Sequence, residues 1–160
     1  MPKNALAFIF ENCNKQTISV LIGAIEADRR FADLEIHLLR PKSGLSKQVE
    51  ELATSYDRVV LAYSFATPKA PEVYDQVQGI RNHLASHSLH NVTLLAGGPH
   101  PSGDRRQTLR MGFDVVAVGE GEKNFPELLS ALFDGGQPSQ IPGLAYWKDS
   151  QMCFTGRSPR

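Results

Sequence analysis

Short apolar runs alternate with segments of helical spacing from the start of the chain almost to its end. The strand candidates are residues 5–10, 34–38, 59–64, 92–96 and 114–118. Several are near-continuously apolar, the pattern of parallel strands covered on both faces. Between them the apolar positions take a helical period. Ile18, Leu21, Ile22 and Ile25 stand at i, i+3, i+4 and i+7, one stripe on one face. Val49, Leu52 and Ala53 form a shorter stripe, and Val73, Val77, Ile80 and Leu84 a longer one. Phe125, Leu128, Leu129, Leu132 and Phe133 form the last, closed by Gly135-Gly136 as a stop signal. Residues 105–111 carry the weakest helical pattern.

Five β-α units of this spacing predict an α/β fold: a flavodoxin-like, doubly wound parallel sheet of five strands. Right-handed crossovers limit the topology, and the expected order is 2-1-3-4-5, with a switch point between the first and third strands. The tail differs. Residues 141–147 and 152–155 flank Lys148-Asp149-Ser150-Gln151, which predicts a C-terminal β-hairpin capping the domain. The expected division is an α/β body over 1–136, the hairpin extension over 137–156, and the start of a linker over 157–160.

Composition narrows the class further. At 160 residues the chain is long enough for one domain with a sizeable core. Lys+Arg and Asp+Glu number 17 each, so nothing in the charge balance favours nucleic acid or an anionic membrane. The two cysteines, Cys13 and Cys153, form neither a disulfide framework nor a Cys-x-x-Cys motif, and the cytoplasm is the expected compartment. The apolar run 5–10 is too short for a signal-peptide core, and no stretch approaches the ~20 residues that span a bilayer.

Four loops are expected at the carboxyl edge of the sheet, where open α/β folds bind ligands. They are residues 11–16, 64–68, 97–102 and 119–122. Two of them are glycine-rich turns, each after an apolar run and before a helical segment. In the first, Gly97 and Gly98 would let a bulky group approach the backbone, or would serve the turn alone. In the second, Gly119-x-Gly121 is half of a dinucleotide fingerprint, but Asn124 stands where the third glycine belongs, and no Walker A sequence occurs. Glu120 suits loop amides and Glu122 the positive end of the next helix. Ser64 and Thr67 would offer hydroxyls to a ligand or cap the third helix, where Pro68 suits the first turn. His100, between two prolines, is a turn residue or a lone acid–base or metal candidate. His83, His87 and His90 fall at the far end of a helix and are expected to be solvated. A phospho-acceptor receiver domain is excluded on chemistry: its acid and lysine positions hold Glu11 alone, Ser64 and Gly119.

With the loops placed, the chain resembles the cobalamin (B12)-binding domain at the N-terminus of many radical S-adenosylmethionine (SAM) proteins. The resemblance rests on Gly97-Gly98-Pro99-His100-Pro101-Ser102, then Gly112-Phe113-Asp114-Val115-Val116, then Gly119-Glu120-Gly121-Glu122. The stretch Ile141-Pro142-Gly143-Leu144-Ala145-Tyr146 fits as well, so the match runs along essentially the whole chain. Such domains carry Asp-x-His-x-x-Gly, Ser-x-Leu and Gly-Gly. Here the corresponding places hold Glu11-x-Cys13-x-x-Gln16, then Ser64-Phe65-Ala66, then Gly97-Gly98, with Asn12 and Thr67 as neighbouring candidates for the cofactor site.

The resemblance implies cobalamin as cofactor, with its nucleotide tail against Ser64, Gly97 and Gly98. Valine at both glycines is then expected to fill the tail pocket. Cys13 replaces the histidine that would ligate cobalt from below. Either its thiolate takes that place, or Cys13 is a small, near-buried residue and cobalt has no lower protein ligand. SAM and a [4Fe-4S] cluster would belong to a radical SAM barrel absent from these residues, since no Cys-x-x-x-Cys-x-x-Cys occurs. The fragment would then not be catalytic alone, and its partner would be that barrel, acting in methyl transfer or another radical step. Two alternatives stay open: a cofactor-free docking or gating domain, and an FMN-binding flavodoxin-like carrier. The first loop, poor in Ser, Thr and Gly, fits the carrier poorly.

Overall fold

The strands form where the apolar runs predict them. A computed structural model describes residues 2–119, 123–135 and 138–156. In chain order the elements are β1 (Asn4–Ile9), α1 (Lys15–Glu26), β2 (Glu35–Leu39), α2 (Leu45–Ser55), β3 (Arg58–Ser64), α3 (Ala70–Ser86) and β4 (Val92–Gly97). They continue with α4 (Pro99–Gly103), α5 (Arg105–Arg110), β5 (Val115–Ala117), α6 (Phe125–Asp134), β6 (Leu144–Lys148) and β7 (Gln151–Phe154). The sheet order is β2-β1-β3-β4-β5-β6-β7. The first five strands pair in parallel, with Phe8 beside Ala62 and Ser64 beside Gly97. The expected 2-1-3-4-5 order is therefore the observed one.

The hairpin does more than cap the body. Strand β6 pairs antiparallel with β5, Val116 beside Ala145, and so extends the sheet to seven strands. Its turn narrows to Asp149 and Ser150, at φ 51° and 65°. Two consecutive left-handed residues match the right-handed twist of the strands they join. The predicted strand 114–118 shortens to three residues. At its start, the Asp114 carboxylate accepts from Leu94 N at 2.8 Å and pairs with Arg81 at 2.8 Å. Within the stretch read as a loop, Pro99–Gly103 forms a short helix. Proline suits its first turn, where an amide would have no partner. Helix α6 ends on Gly135 at φ 70°, the left-handed cap that the Gly-Gly signal predicts.

Helices cover both faces. Val49, Leu52, Val73, Val77, Ile80 and Leu109, from α2, α3 and α5, close a core on one face. Ile18, Ile25, Phe125, Leu128 and Leu129, from α1 and α6, close the other. Strand β3 feeds both by its period of two. Leu61 and Tyr63, with Phe65 just beyond the strand, enter the first core, and Val60 and Ala62 enter the second.

Candidate functional site

On the α1/α6 face the side chains shrink toward the carboxyl edge. Along β3 the sequence runs Val60, Ala62, Ser64; along β4, Leu95 then Gly97; along β5, Val115, Ala117, then Gly119. Helices packed on such a taper cannot follow the sheet to its edge, and a gap opens. The gap is a cavity of about 380 Å³. That size falls within the ~300–1,000 Å³ of small-molecule sites. Ala62, Ser64, Gly97, Ala117 and Gly119 form its floor, and Phe8, Leu21 and Phe125 give apolar walls. Phe8 and Phe125 brace each other with ring centres 6.0 Å apart. The hydroxyls of Thr17, Ser64 and Ser102 are the small polar groups at the wall. Ser64 Oγ makes no hydrogen bond among the described residues and is free to meet a ligand.

The two glycines of the first loop do different work. Gly97 lines the cavity, and the nearest atom to a Cβ there would be the Ala117 carbonyl oxygen at 3.9 Å. Gly98 has φ 103°, and a Cβ there would lie 2.9 Å from both Phe65 N and Phe65 O. The loop is laced to that backbone: Phe65 N donates to Gly97 O, and His100 N donates to Phe65 O, each at 3.2 Å. Gly98 is thus required by close approach of two backbones. A valine side chain at Gly97 would have open space before it, at the cavity wall. At Gly98 the valine would collide with β3's loop instead.

Ser102 Oγ accepts from Gly119 N at 3.0 Å and ties the two glycine-rich loops together. Glu120, Gly121 and Glu122 lie outside the described residues. Pro99 stands on the cavity wall.

The remaining sequence candidates lie beside the cavity and not on its wall. His100 stacks on Phe65, ring centres 5.5 Å apart. Its Nε2 meets Gln107 Oε1 at 2.6 Å and its Nδ1 meets Thr67 Oγ1 at 3.1 Å. The amide oxygen only accepts, so Nε2–H donates and Nδ1 accepts from the threonine. His100 is a pin between loops. Thr67 serves that pin, and α3 begins without a side-chain cap. Phe65 is buried in the opposite core, and Ala66 follows it in the chain.

Glu11, Asn12 and Cys13 follow β1 at the switch point, and none of them lines the cavity. A single helical turn over Asn12–Asn14 faces Asn14 inward, 6% exposed, and leaves Cys13 exposed. The expectation of a near-buried Cys13 is therefore corrected: Asn14 takes the interior place. Its Nδ2 donates to Ile9 O at 2.9 Å and to Ser64 O at 3.2 Å, clasping β1 to β3. The Cys13 thiol faces Glu11 Oε2 at 4.0 Å. The Lys69 ammonium lies 3.5 Å from Glu11 and 3.4 Å from Glu72. These carboxylates, Glu11 first, hold the lysine above its ordinary range.

Phe8, Thr17, Leu21, Ser102 and Phe125 escaped the sequence reading as site residues. Phe8, Leu21 and Phe125 sit on a strand or helix stripe that reads simply as core. Thr17 is a polar residue beside the first stripe, and Ser102 closes a loop placed at this edge without a role of its own. The signal that finds them is the decreasing side-chain size at alternate positions of β3, β4 and β5.

Comparison with known proteins agrees with this architecture. The family model described as "B12 binding domain" matches residues 14–129. An uncharacterized methyltransferase of Pyrococcus horikoshii is 23% identical over 153 residues, covering 94% of this chain and 29% of that protein. The radical S-adenosylmethionine methyltransferase TsrM of Kitasatospora setae, solved with cobalamin and a [4Fe-4S] cluster, superposes with a TM-score of 0.76 at 17% identity. That match covers 99% of this chain and 30% of TsrM. The cobalamin-dependent S-adenosylmethionine radical enzyme OxsB, solved with aqua-cobalamin and S-adenosylmethionine, gives 0.69 at 15% identity. It covers all of this chain and 23% of OxsB. The chain thus spans under a third of each of these relatives, and the structural likeness is one of fold. Among the described residues no helix is long and apolar enough to cross a membrane.

Proposed function

The chain belongs to the B12-binding domain family, and from that premise we propose that it holds cobalamin at the carboxyl edge, the nucleotide tail in the cavity. The carrying observation is the taper of β3, β4 and β5. It leaves about 380 Å³ open beneath the glycine-rich loops. Gly97, Ala117 and Gly119 leave the room. Phe8, Leu21 and Phe125 exclude water from an aromatic tail, and Ser64 Oγ offers it one hydrogen bond. Glu11, Asn12 and Cys13, in the loop after β1 at the switch point, would face the part of the cofactor outside the cavity. Bound cobalamin would supply a cobalt centre able to carry a methyl group. In a longer polypeptide the module would serve a radical SAM domain holding SAM and a [4Fe-4S] cluster, as the methyltransferase relatives suggest. The reaction would then be methyl transfer or another radical step.

The test is retention of cobalamin. The chain is mixed with hydroxocobalamin and desalted, and its visible spectrum recorded. About one equivalent is expected to stay, with the dimethylbenzimidazole displaced from cobalt. Gly97→Val should reduce retention at least tenfold while its far-ultraviolet circular dichroism stays unchanged. Cys13→Ala should retain cobalamin with unshifted bands. A wild-type chain that keeps no cobalamin overturns the reading, and so does a folded Gly97→Val variant that binds as well as wild type.

A further inference from the structure

At the end of α3 remote from the cavity, two histidines and a glutamate converge. His83 and His87 are one helical turn apart, on the same face of the chain's path. Glu50 reaches them from α2. Its Oε1 lies 3.3 Å from His83 Nε2 and 2.8 Å from His87 Nε2. The rings lie 4.4 Å apart at 31°, and the three donor atoms all fall within 4.8 Å of one another. Of the three histidines expected to be solvated, His87 and His90 are exposed, while His83 is partly buried. The Glu50 side chain is only 17% exposed and that of His83 28%.

Two details set this cluster apart from an ordinary ion pair. First, His87 Nδ1 lies 2.8 Å from the His83 carbonyl oxygen. A carbonyl only accepts, so Nδ1 carries hydrogen and the Nε2 lone pair is turned to Glu50. Outer hydrogen bonds of this kind orient metal-ligating imidazoles. Second, His83 Nε2 is buried without a hydrogen bond. It is near the carboxylate but not aligned with it. Glu50 meets His87 at the shorter distance, and His83 is left without a hydrogen bond. An orphaned buried nitrogen costs about 1–3 kcal/mol.

We propose that Glu50, His83 and His87 form a binding site for a divalent transition-metal ion of the zinc class. A metal accepts an electron pair from each of the three atoms at once. Ligands at ~2.0–2.1 Å around a tetrahedral ion stand about 3.3 Å apart, close to the spacing seen here. Two imidazoles and one carboxylate favour zinc, nickel or copper over magnesium or calcium, which take oxygen sets. With the His87 side chain 47% exposed, the fourth position faces solvent. The ion would staple the end of α3 to α2, and it is independent of the cavity.

The experiment titrates the chelator-treated 160-residue chain with Zn²⁺ by calorimetry and with Co²⁺ by visible absorption. One equivalent is expected to bind, with Co²⁺ bands of four- or five-coordinate geometry and a higher Tm in Zn²⁺. Glu50→Gln, His83→Ala and His87→Ala should each weaken binding at least tenfold; Cys13→Ala and His37→Ala should not. His87→Ala alters the most exposed of the three rings, so it reports binding even where His83→Ala fails to fold. No binding at millimolar metal overturns the site, as does binding that the three variants leave unchanged. Cobalamin retention by the same variants should stay at wild-type level, which separates this result from that of the cavity.

Discussion

The two faces of the sheet are built from the same strands and end differently. On the α2/α3 face, β3 presents Leu61 and Tyr63, with Phe65 just beyond it, and the side chains stay large up to the carboxyl edge. Phe113 packs edge-on to Tyr63 at 5.5 Å and stacks with Phe65 at 6.1 Å. That face is filled to its rim. On the α1/α6 face the same strand presents Val60, Ala62 and Ser64, and the core stops short. A period of two lets one strand carry a filled face and a tapered one.

The largest test of this contrast is Phe113→Ala. The ring is 2% exposed and joins β3's aromatics to the start of β5. Its loss should cost about 3–5 kcal/mol in denaturant unfolding. Gly97→Val, on the tapered face, should cost under about 1 kcal/mol and remove cobalamin retention instead. A large stability loss at Gly97, or none at Phe113, would break the comparison.

Gly98→Ala tests the seam between the faces and should fall between them. With φ 103° and a Cβ 2.9 Å from the Phe65 backbone, it should lose about 1–3 kcal/mol. A thermal melt unchanged from wild type would show that the two loops can part without cost.

The smallest effect is expected at Tyr63. Burial, and after it the Glu11 carboxylate, raises its phenol well above the ordinary value. The folded protein keeps a proton that the unfolded chain gives up above about pH 10. The Tyr63 contribution is therefore whole below that pH and is lost as pH rises beyond it, at up to ~1.4 kcal/mol per pH unit. Tyr63→Phe removes a buried hydroxyl that has no hydrogen-bond partner among the described residues, so it should be no less stable than wild type near neutrality, and its advantage should widen in alkali. Parallel pH–stability curves for the two proteins would place the phenol in water.

The strand order was legible because five apolar runs and four stripes admit few right-handed windings. Gly97 and Ser64 were legible too, through spacing that resembles a family. The distinct duties of Gly97 and Gly98 were not, since only the approach of Phe65 separates them. Asn14 was hidden because a polar loop residue reads as solvent-facing, yet a single helical turn swings it under β1 and β3. His83 and His87 read as a wet helix end because their partner, Glu50, lies on another helix.

The hairpin also decides which strand stands at the open border of the sheet. Without β6, strand β5 would offer Val115 and Val116, both buried, along a bare row of amides and carbonyls. An apolar open edge is a template for strand exchange and aggregation. The hairpin moves that boundary outward to β7, four residues long and entered through the polar Gln151. A four-residue border offers a shorter template than the buried edge of β5 would, and residues 144–154 keep that edge paired whatever the cavity holds.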